Sequence, residues 1–488
     1  MIKEHELPQD TKLGSIAPMV RAVRAGKVTA QALVENALHQ IATLDATLNA
    51  FCTLTADRAR AEALEIDRRV AAGERVGPLA GVPVAIKDLI CTRGVRTTFG
   101  SRLYADHVPD EDDVVVERLK DAGAIVIGKT NTSEFGYGAV GHNALFPSTR
   151  NPWDQRLTSG GSSAGSAVAI AANMVPLAIG SDGGGSVRIP ASLCGVFGIK
   201  PSWGRVPVYP GCREERFPGI SSWESLEHIG PLTRTVADAA LALSVLVGPT
   251  ARDRFSIPNE VADWSIRPSE TLRSARVAFS TDLGYATVDP EIRQAIEDAV
   301  HRLERDIGCS VERAHPKLNN PTPGFEALVA LDTDRTGLRR MAQERGIVLE
   351  GWLSRLLARQ WSADEFTDAI FERKRAVNST WRFMETHDFL ITPTTASAAF
   401  PLGLDGPDTI DGHPVESTAW LAFSALGNLT GLPAASVPIG FTRDGRPIGL
   451  QIMGRHLDDL GVLALSAAVE SLNGSACPPI ANAGAWAY

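Results

Sequence analysis

Apolar residues recur every three or four positions in the first part of the chain. Leu33, Ala37, Ile41 and Leu44 would share one face of a helix. The charged, alanine-rich stretch that follows continues the helical character. The pattern therefore predicts an N-terminal helical layer over residues 13–72.

The pattern changes after residue 80, where short apolar runs alternate with helical segments. An uninterrupted apolar run is typical of a strand that is buried on both faces of a sheet. A helix is expected from Asp113 to Ala122, ended by Gly123, and a strand from Ala124 to Gly128. A helix that leads into a buried strand indicates an α/β fold. The same reasoning predicts helices over 163–173, 232–247 and 459–472 and a helix that starts at Asp289-Pro290. It also predicts strands over 82–88, 175–180, 277–280 and 389–393, and a hairpin of 435–441 with 448–453.

Two further segments differ from this alternation. Residues 202–230 contain several prolines and glycines, which predicts a long irregular segment of the kind that often borders the pocket of an enzyme. Residues 317–385 have a mostly helical pattern and more charge, which indicates a helical insertion or lid. Because no internal repeat or break in composition divides the chain, we expect one large α/β domain over residues 1–488.

Two serine-bearing glycine loops flank a small-residue apolar segment between residues 159 and 195. In the second loop, three glycines immediately precede Ser186. Glycine has no β-carbon, so main-chain N–H groups in such a loop can approach a bound group closely and stabilise a tetrahedral oxyanion beside a nucleophile. Pro190 suits the first turn of a helix and Gly195 its end, which places Ser186 at a helix entrance. Ser186 is therefore the candidate nucleophile.

A serine hydroxyl needs a partner that takes its proton, and in the familiar triads this partner is histidine. None of the ten histidines lies in either glycine loop. Lys87, in contrast, ends an apolar run of strand type, where desolvation lowers the pKa of a lysine. A neutral amine can accept a proton, and Ser162 in the first loop can relay it from Ser186. The sequence therefore predicts a Ser-Ser-Lys triad, with Ser159 and Ser163 as alternatives for the middle serine.

Four motifs together resemble the amidase signature family of serine hydrolases. They are IKD at 86–88, GKTN at 128–131, GGSSAGS at 160–166 and GSDGGGSVRIPAS at 180–192. The resemblance covers nearly the whole chain, with a signature core over residues 80–200. It implies an α/β fold with a large mixed β-sheet core that is covered by helices on both faces and carries a helical insertion.

The resemblance also implies a role for five side chains. Lys87 matches the family's base, Ser162 the bridging serine, whose peptide bond is typically cis, and Ser186 the nucleophile that becomes acylated. Asp182 and Arg188 match residues that brace the nucleophile loop outside the proton relay.

The same resemblance implies an oxyanion hole built from main-chain amides. Those of Gly183, Gly184, Gly185 and Ser186 are expected to donate to the oxyanion. Gly183 stands where the family usually has threonine or isoleucine, and Ala164 replaces a glycine that is common in the first loop.

The function implied by these residues is hydrolysis of the C–N bond of a small organic amide, anilide or carbamate. One alternative is the A subunit of a tRNA-dependent amidotransferase, a glutaminase. That subunit usually shows RQPA after its nucleophile, whereas this chain has Ile189 in place of the glutamine. A second alternative is a non-catalytic binding protein of the same fold.

Composition narrows the possible partners and compartments. The 488 residues carry a net charge of −9 and no long basic run, so direct nucleic-acid binding is not expected. The six cysteines are dispersed and form no CxxC motif, which indicates neither a zinc site nor a disulfide framework. No signal peptide or membrane segment is predicted. We expect a cytoplasmic enzyme without metal or cofactor that binds a small amide-type substrate, with homodimer formation left open.

Overall fold

Most of the short apolar runs pair into one mixed sheet. The computed structural model describes residues 15–219, 223–261, 263–266, 269–474 and 476–480. Within these residues, eleven strands form a sheet in the order β1-β3-β2-β4-β6-β5-β12-β13-β9-β7-β8, and β10 and β11 form a separate two-stranded sheet. The strands are β1 (Phe51–Leu54), β2 (Pro83–Lys87), β3 (Ile125–Thr130), β4 (Leu177–Ser181), β5 (Phe197–Lys200), β6 (Ile229–Thr233), β7 (Arg276–Phe279), β8 (Ser310–Arg313), β9 (Phe389–Pro393), β10 (Thr409–Ile410), β11 (His413–Pro414), β12 (Ala434–Phe441) and β13 (Pro447–Gly454).

Helices cover both faces of this sheet, which confirms the predicted fold class. The helices of the described residues are α1 (Ile16–Arg24), α2 (Ala30–Leu48), α3 (Ala56–Ala71), α4 (Val114–Asp121), α5 (Ala164–Ala171), α6 (Arg188–Cys194), α7 (Val236–Leu246), α8 (Pro290–Arg302), α9 (Thr322–Asp332), α10 (Arg335–Arg345), α11 (Gly351–Ala358), α12 (Ala363–Met384), α13 (Ala425–Thr430) and α14 (Asp459–Asn473). None of them combines the length and apolar character that crossing a membrane requires.

Strand β2 lies inside the sheet, parallel to both of its neighbours, β3 and β4. Every residue of β2 is buried, because strands pair with it on both edges and helices cover it. The carboxyl ends of three parallel neighbours therefore meet at one edge of the sheet. Lys87 ends β2 and Ser181 ends β4 at this edge.

Several local predictions agree with the structure to within a few residues. Helix α4 begins after Asp113, whose side chain accepts a hydrogen bond from the amide of Val115 as an N-cap. The predicted hairpin is the antiparallel pair β12 and β13. Pro290 opens α8 after the N-cap Asp289, as its fixed φ angle favours.

Other elements differ from the prediction. A strand, β1, interrupts the predicted helical layer and pairs antiparallel with β3 at the edge of the sheet. Residues 13 and 14 of that layer lie outside the described residues. The helix predicted over 232–247 begins only at Val236, because residues before it form β6 between β4 and β5. Sheet pairing overrides the helical pattern here, since an interior strand satisfies its backbone hydrogen bonds on both edges.

Helices α9 to α12 lie within the segment predicted as a helical insertion or lid, and that domain division stays a prediction. Most of their buried apolar residues belong to a hydrophobic cluster separate from the main core, whereas Ala376 and Met384 of α12 belong to the main core. The same cluster contains Phe99, Tyr104, Phe135 and Trp223 from loops next to the sheet edge. The helical segment is thus packed against the walls of the candidate site.

Candidate active site

A main-chain hydrogen bond connects the two glycine loops. The first precedes α5 and the second precedes α6. The amide of Ser163 donates to the carbonyl of Ser186 at 3.1 Å. The two loops therefore lie side by side.

Lys87 is completely buried and bonded to hydroxyl groups. Its Nζ donates to Ser162 Oγ at 2.7 Å, to Ser181 Oγ at 2.9 Å and to the carbonyl of Ser181 at 3.2 Å. The peptide bond between Gly161 and Ser162 is cis. The structure thus brings together the lysine and the serine that the sequence analysis paired.

The two alternative serines of the first loop have other partners. Ser159 Oγ donates to the carbonyls of Thr149 and Gly160. Ser163 Oγ donates to the carbonyl of Ser181. Ser162 is therefore the loop serine whose hydroxyl contacts the lysine.

Burial lowers the pKa of Lys87 to about 7, although the carboxylates of Glu227 and Asp182 raise it. The ammonium form is poorly solvated at this position, and the groups bonded to Nζ are uncharged. An amine with this pKa is partly neutral at neutral pH, and a neutral amine can accept a proton.

Ser186 lies just before α6 and is 7% exposed. Pro190 falls in the first turn of this helix, and Gly195 ends it with a positive φ of 70°. The hydroxyl-bearing residue therefore sits at a helix entrance, where the helix dipole favours negative charge.

The amides of the nucleophile loop fall into two groups. Gly185 N donates to Asp182 Oδ1 at 2.7 Å, so this amide belongs to the bracing of the loop. The prediction that Gly185 is a free oxyanion donor is corrected on this ground. Within the described residues, the amides of Gly183, Gly184 and Ser186 have no hydrogen-bond partner. They are the amides available to an oxyanion.

Glycine is required at position 183 because the indole of Trp223 packs closely against the main chain there. A β-carbon at this position would lie 2.1 Å from Cε3 of Trp223. The indole therefore occupies the space where the family usually has a threonine or isoleucine side chain, and it forms a wall beside the loop.

Asp182 and Arg188 form a completely buried ion pair, with Nη2 at 2.9 Å from Oδ1 and Nε at 3.0 Å from Oδ2. Burial raises the pKa of Asp182, but the Arg188 guanidinium and the Asn428 amide outweigh it and hold the pKa below its usual range. The carboxylate also accepts from the amide of Val187 at 3.1 Å. The ion pair of Asp182 and Arg188 thus stabilises the loop that carries Ser186.

Four further residues were missed by the sequence analysis. Asn428 donates to Asp182, Gln451 accepts from Arg188, and Ser181 accepts from the lysine. Glu227 interacts with the Ser181 side chain. Asn428 and Gln451 lie more than 200 residues from their partners in the chain. No local pattern marks them, although Ser181 stands inside the quoted GSDGGGS motif.

Two cavities meet at Ser186. One of them, called here the inner cavity, is lined by the polar residues Ser162, Ser181, Glu227 and Asp113. Its apolar walls are Leu89, Ile90, Phe99, Phe135, Val208 and Ile229. The irregular segment after residue 202 contributes Val208, Gly211, Gly219 and Trp223 to these walls.

The outer cavity is more apolar. Its walls include Ile189, Trp223, Phe325, Trp352 and Leu421. Trp223 and Ser186 line both cavities, so the indole stands at the junction. A substrate whose carbonyl carbon is at Ser186 would extend in two directions, into two chemically different spaces.

Among the described residues, no histidine side chain forms a hydrogen bond with Ser186. The backbone of His228 pairs with that of Asp182, but its ring Nδ1 contacts the carbonyl of Leu226 at 2.7 Å. His142 contacts Asp405 at 3.6 Å. In the described part of the chain, no group of His, Cys, Asp or Glu side chains is placed to hold a metal ion.

Comparison with known proteins agrees with this geometry. The profile of the family described as Amidase matches residues 32–463. An acylamidase of Rhodococcus erythropolis is 37% identical over 94% of this chain and 95% of its own. The glutamyl-tRNA(Gln) amidotransferase A subunit of Prochlorococcus marinus (strain MIT 9303) is 34% identical over 93% of this chain and 96% of its own.

A solved structure shows the same relationship. It is that of a bacterial aryl acylamidase of the amidase signature family, with a TM-score of 0.83, 28% identity and coverage of 94% of this chain and 96% of that one. Because these matches extend over nearly the whole chain, the protein belongs to the amidase signature family.

Proposed function

We propose that this protein is an amidase that hydrolyses the C–N bond of a small organic amide, anilide or carbamate through a seryl acyl-enzyme. Ser186 is the nucleophile, Ser162 the bridging serine and Lys87 the base. The observation that carries the proposal is the 2.7 Å hydrogen bond from Lys87 to Ser162, at the cavity that Ser186 also lines.

The first half of the reaction acylates the enzyme. Ser186 Oγ bonds to the carbonyl carbon of the substrate and loses its proton to Ser162, which passes its own proton to the neutral amine of Lys87. The carbonyl oxygen takes up the negative charge. The free amides of the nucleophile loop donate hydrogen bonds to this oxygen.

The second half releases both products. The C–N bond breaks as Ser162 returns a proton to the departing nitrogen and recovers one from Lys87. A water molecule then attacks the ester through the same relay, the bond between Ser186 Oγ and the acyl carbon breaks, and the acid leaves. Lys87 and the two serines return to their starting protonation states.

The decisive experiment compares the wild type with Ser186→Ala on a panel of amides, anilides, carbamates and esters. We expect turnover to fall by at least about 10⁴-fold, because the covalent route is removed. Mass spectrometry of the trapped acyl-enzyme, or of a fluorophosphonate adduct, identifies the modified serine.

Ser192→Ala is the matched control, since Ser192 is also buried, lies six residues further along the chain on α6, and lines neither cavity. It is expected to keep its activity. Undiminished amide turnover by folded Ser186→Ala protein would refute the proposal.

The A subunit of a tRNA-dependent amidotransferase, a glutaminase, is the second candidate, because glutamyl-tRNA(Gln) amidotransferase A subunits match nearly the whole chain. In this chain Ile189 places an apolar side chain on the outer cavity wall at the position of that subunit's usual glutamine. A glutaminase assay with and without candidate partner subunits separates the two functions. A failure of the fluorophosphonate to label any serine, together with no turnover, would instead favour a non-catalytic binding protein.

A further inference from the structure

The inner cavity points to a specific class of leaving group. We propose that it holds the amine half of the substrate, and that Asp113 in its wall selects an amine with a second basic nitrogen. The substrate class is then an amide of a diamine, or of a similar amine with two basic groups. This inference rests on the proposed function and deepens it.

The orientation of the substrate follows from the position of Ser162. The departing nitrogen must receive its proton from this hydroxyl, so it must lie within hydrogen-bond distance of it. Ser162 lines the inner cavity and is absent from the walls of the outer one. The amine half therefore extends inward, and the acyl half extends into the outer cavity.

The charged side chains that line the inner cavity in the described residues are both acids, Glu227 and Asp113. Glu227 stands next to the relay, close to Lys87 and Ser181. Asp113 also lines this cavity, and its Oδ2 would lie 3.7 Å from a β-carbon built on Gly211, another lining residue. The wall of this cavity thus carries two carboxyl groups.

Asp113 is the less satisfied of the two acids. It is completely buried, and its Oδ1 caps α4 by accepting from the amide of Val115 at 3.1 Å. Its Oδ2 is also buried and has no partner within the described residues. A buried acceptor without a partner costs free energy, which an N–H donor or cation on a ligand would recover.

Neither Lys87 nor Lys129 donates a hydrogen bond to Asp113 Oδ2. Lys87 donates to Ser162 and Ser181, and Lys129 donates to the carbonyl of Ile90 and the hydroxyl of Thr97. Burial raises the pKa of Asp113 well above its usual value. A basic nitrogen can pair with either form of this carboxyl group, as ammonium with carboxylate or as amine with carboxylic acid, whereas an alkyl tail can pair with neither.

The test uses amides that share one acyl group and differ in the amine. Phenylacetyl is suitable because aromatic rings line the outer cavity. The amine is an n-alkylamine of two to five carbons or the diamine of the same length, so that the best length reports the reach to Asp113. We expect kcat/KM at pH 7 to be at least about tenfold higher for the best diamine amide than for the matching alkylamide, which corresponds to one charge-assisted hydrogen bond.

Asp113→Asn should remove this preference, so that the ratio of kcat/KM for the diamine amide to that for the matching alkylamide falls to within about twofold of one. Asparagine keeps the N-cap oxygen, so α4 is expected to stay folded. Asp238→Asn is the matched control: Asp238 is buried, its Oδ1 accepts from the amide of Ile16, its Oδ2 has no partner within the described residues, and it lines neither cavity. It should keep the diamine preference.

A measurement on the wild type alone keeps the inference testable if Asp113→Asn does not fold. Free 1,4-diaminobutane should inhibit hydrolysis more strongly than n-butylamine by the same tenfold margin. Equal kcat/KM values for the two amide series, equal inhibition by the two amines, or a diamine preference that survives in Asp113→Asn would overturn the inference. If alkylamides are still hydrolysed through Ser186 in that case, the proposed function stands; if no amide is hydrolysed and Ser186 is not labelled, the proposed function fails first.

Discussion

Two buried lysines on neighbouring strands have different surroundings. Lys87 ends β2, and Lys129 lies beside it near the end of β3. Both are completely buried. Ile86 is the register partner of Lys129, so Lys87 and Lys129 point to opposite faces of the sheet.

Their partners separate the two lysines. Lys129 donates to the carbonyl of Ile90 and to Thr97, and it lies 3.9 Å from the carboxylate of Asp88. Lys87 donates to two hydroxyl groups and one carbonyl. Burial lowers the pKa of both lysines. Burial alone therefore does not distinguish the two lysines. Lys87 contacts two serines that line the same cavity as Ser186, whereas Lys129 lies beside a carboxylate.

The largest expected effect is on rate. Lys87→Met should lower kcat/KM by roughly 10²- to 10⁴-fold, because it removes the proposed proton acceptor while keeping a chain of similar length. Kinetics on the best amide of the panel test this, with circular dichroism to confirm folding. If folded Lys87→Met protein kept more than a tenth of the wild-type kcat/KM, Lys87 would not be the base.

The next largest effect is a loss of stability when Lys129 is substituted. Lys129→Met should lower the free energy of unfolding by about 3–5 kcal/mol, because it leaves the buried Asp88 without its cation. Urea unfolding at pH 7 measures the loss, which should exceed that of Lys87→Met. The double variant Lys129→Met/Asp88→Asn should recover part of it, and no recovery would show that the ion pair is not the cause.

The smallest effect is a shift in pH dependence. With the pKa of Lys87 near 7, kcat/KM should rise with pH through this region as the amine loses its proton. The Glu227 carboxylate raises the pKa of Lys87, so Glu227→Gln should lower that pKa and move the acidic limb of the profile to lower pH. A limb that stays in place or moves upward would contradict this coupling.

Glu224→Gln serves as the control for this shift. Glu224 lies on the same segment but pairs with Arg254 at the surface, with Nη2 2.9 Å from Oε1. Its neutralisation should leave the acidic limb where it is in the wild type.

Much of the architecture could be predicted because its causes are local. Asp113, Pro290 and Gly195 mark helix ends by their own backbone or capping preferences. The strands β1 and β6 could not be predicted in this way, since pairing with β3, β4 and β5 makes them strands. A strand's hydrogen bonds are satisfied by distant segments, so its own residues carry only part of the signal.

The residues of the candidate site also divide into those that the local sequence predicted and those that only the structure placed. The amino-acid sequence by itself determined the two glycine loops, the serine at a helix entrance and the lysine in an apolar run, because these depend on residue type and short spacing. Only the tertiary structure decided that Ser162, and neither Ser159 nor Ser163, contacts Lys87. It also decided that Gly185 donates to Asp182 and that Asp113 lines the inner cavity. These are matters of direction and distance between segments far apart in the chain, which packing sets and local pattern does not.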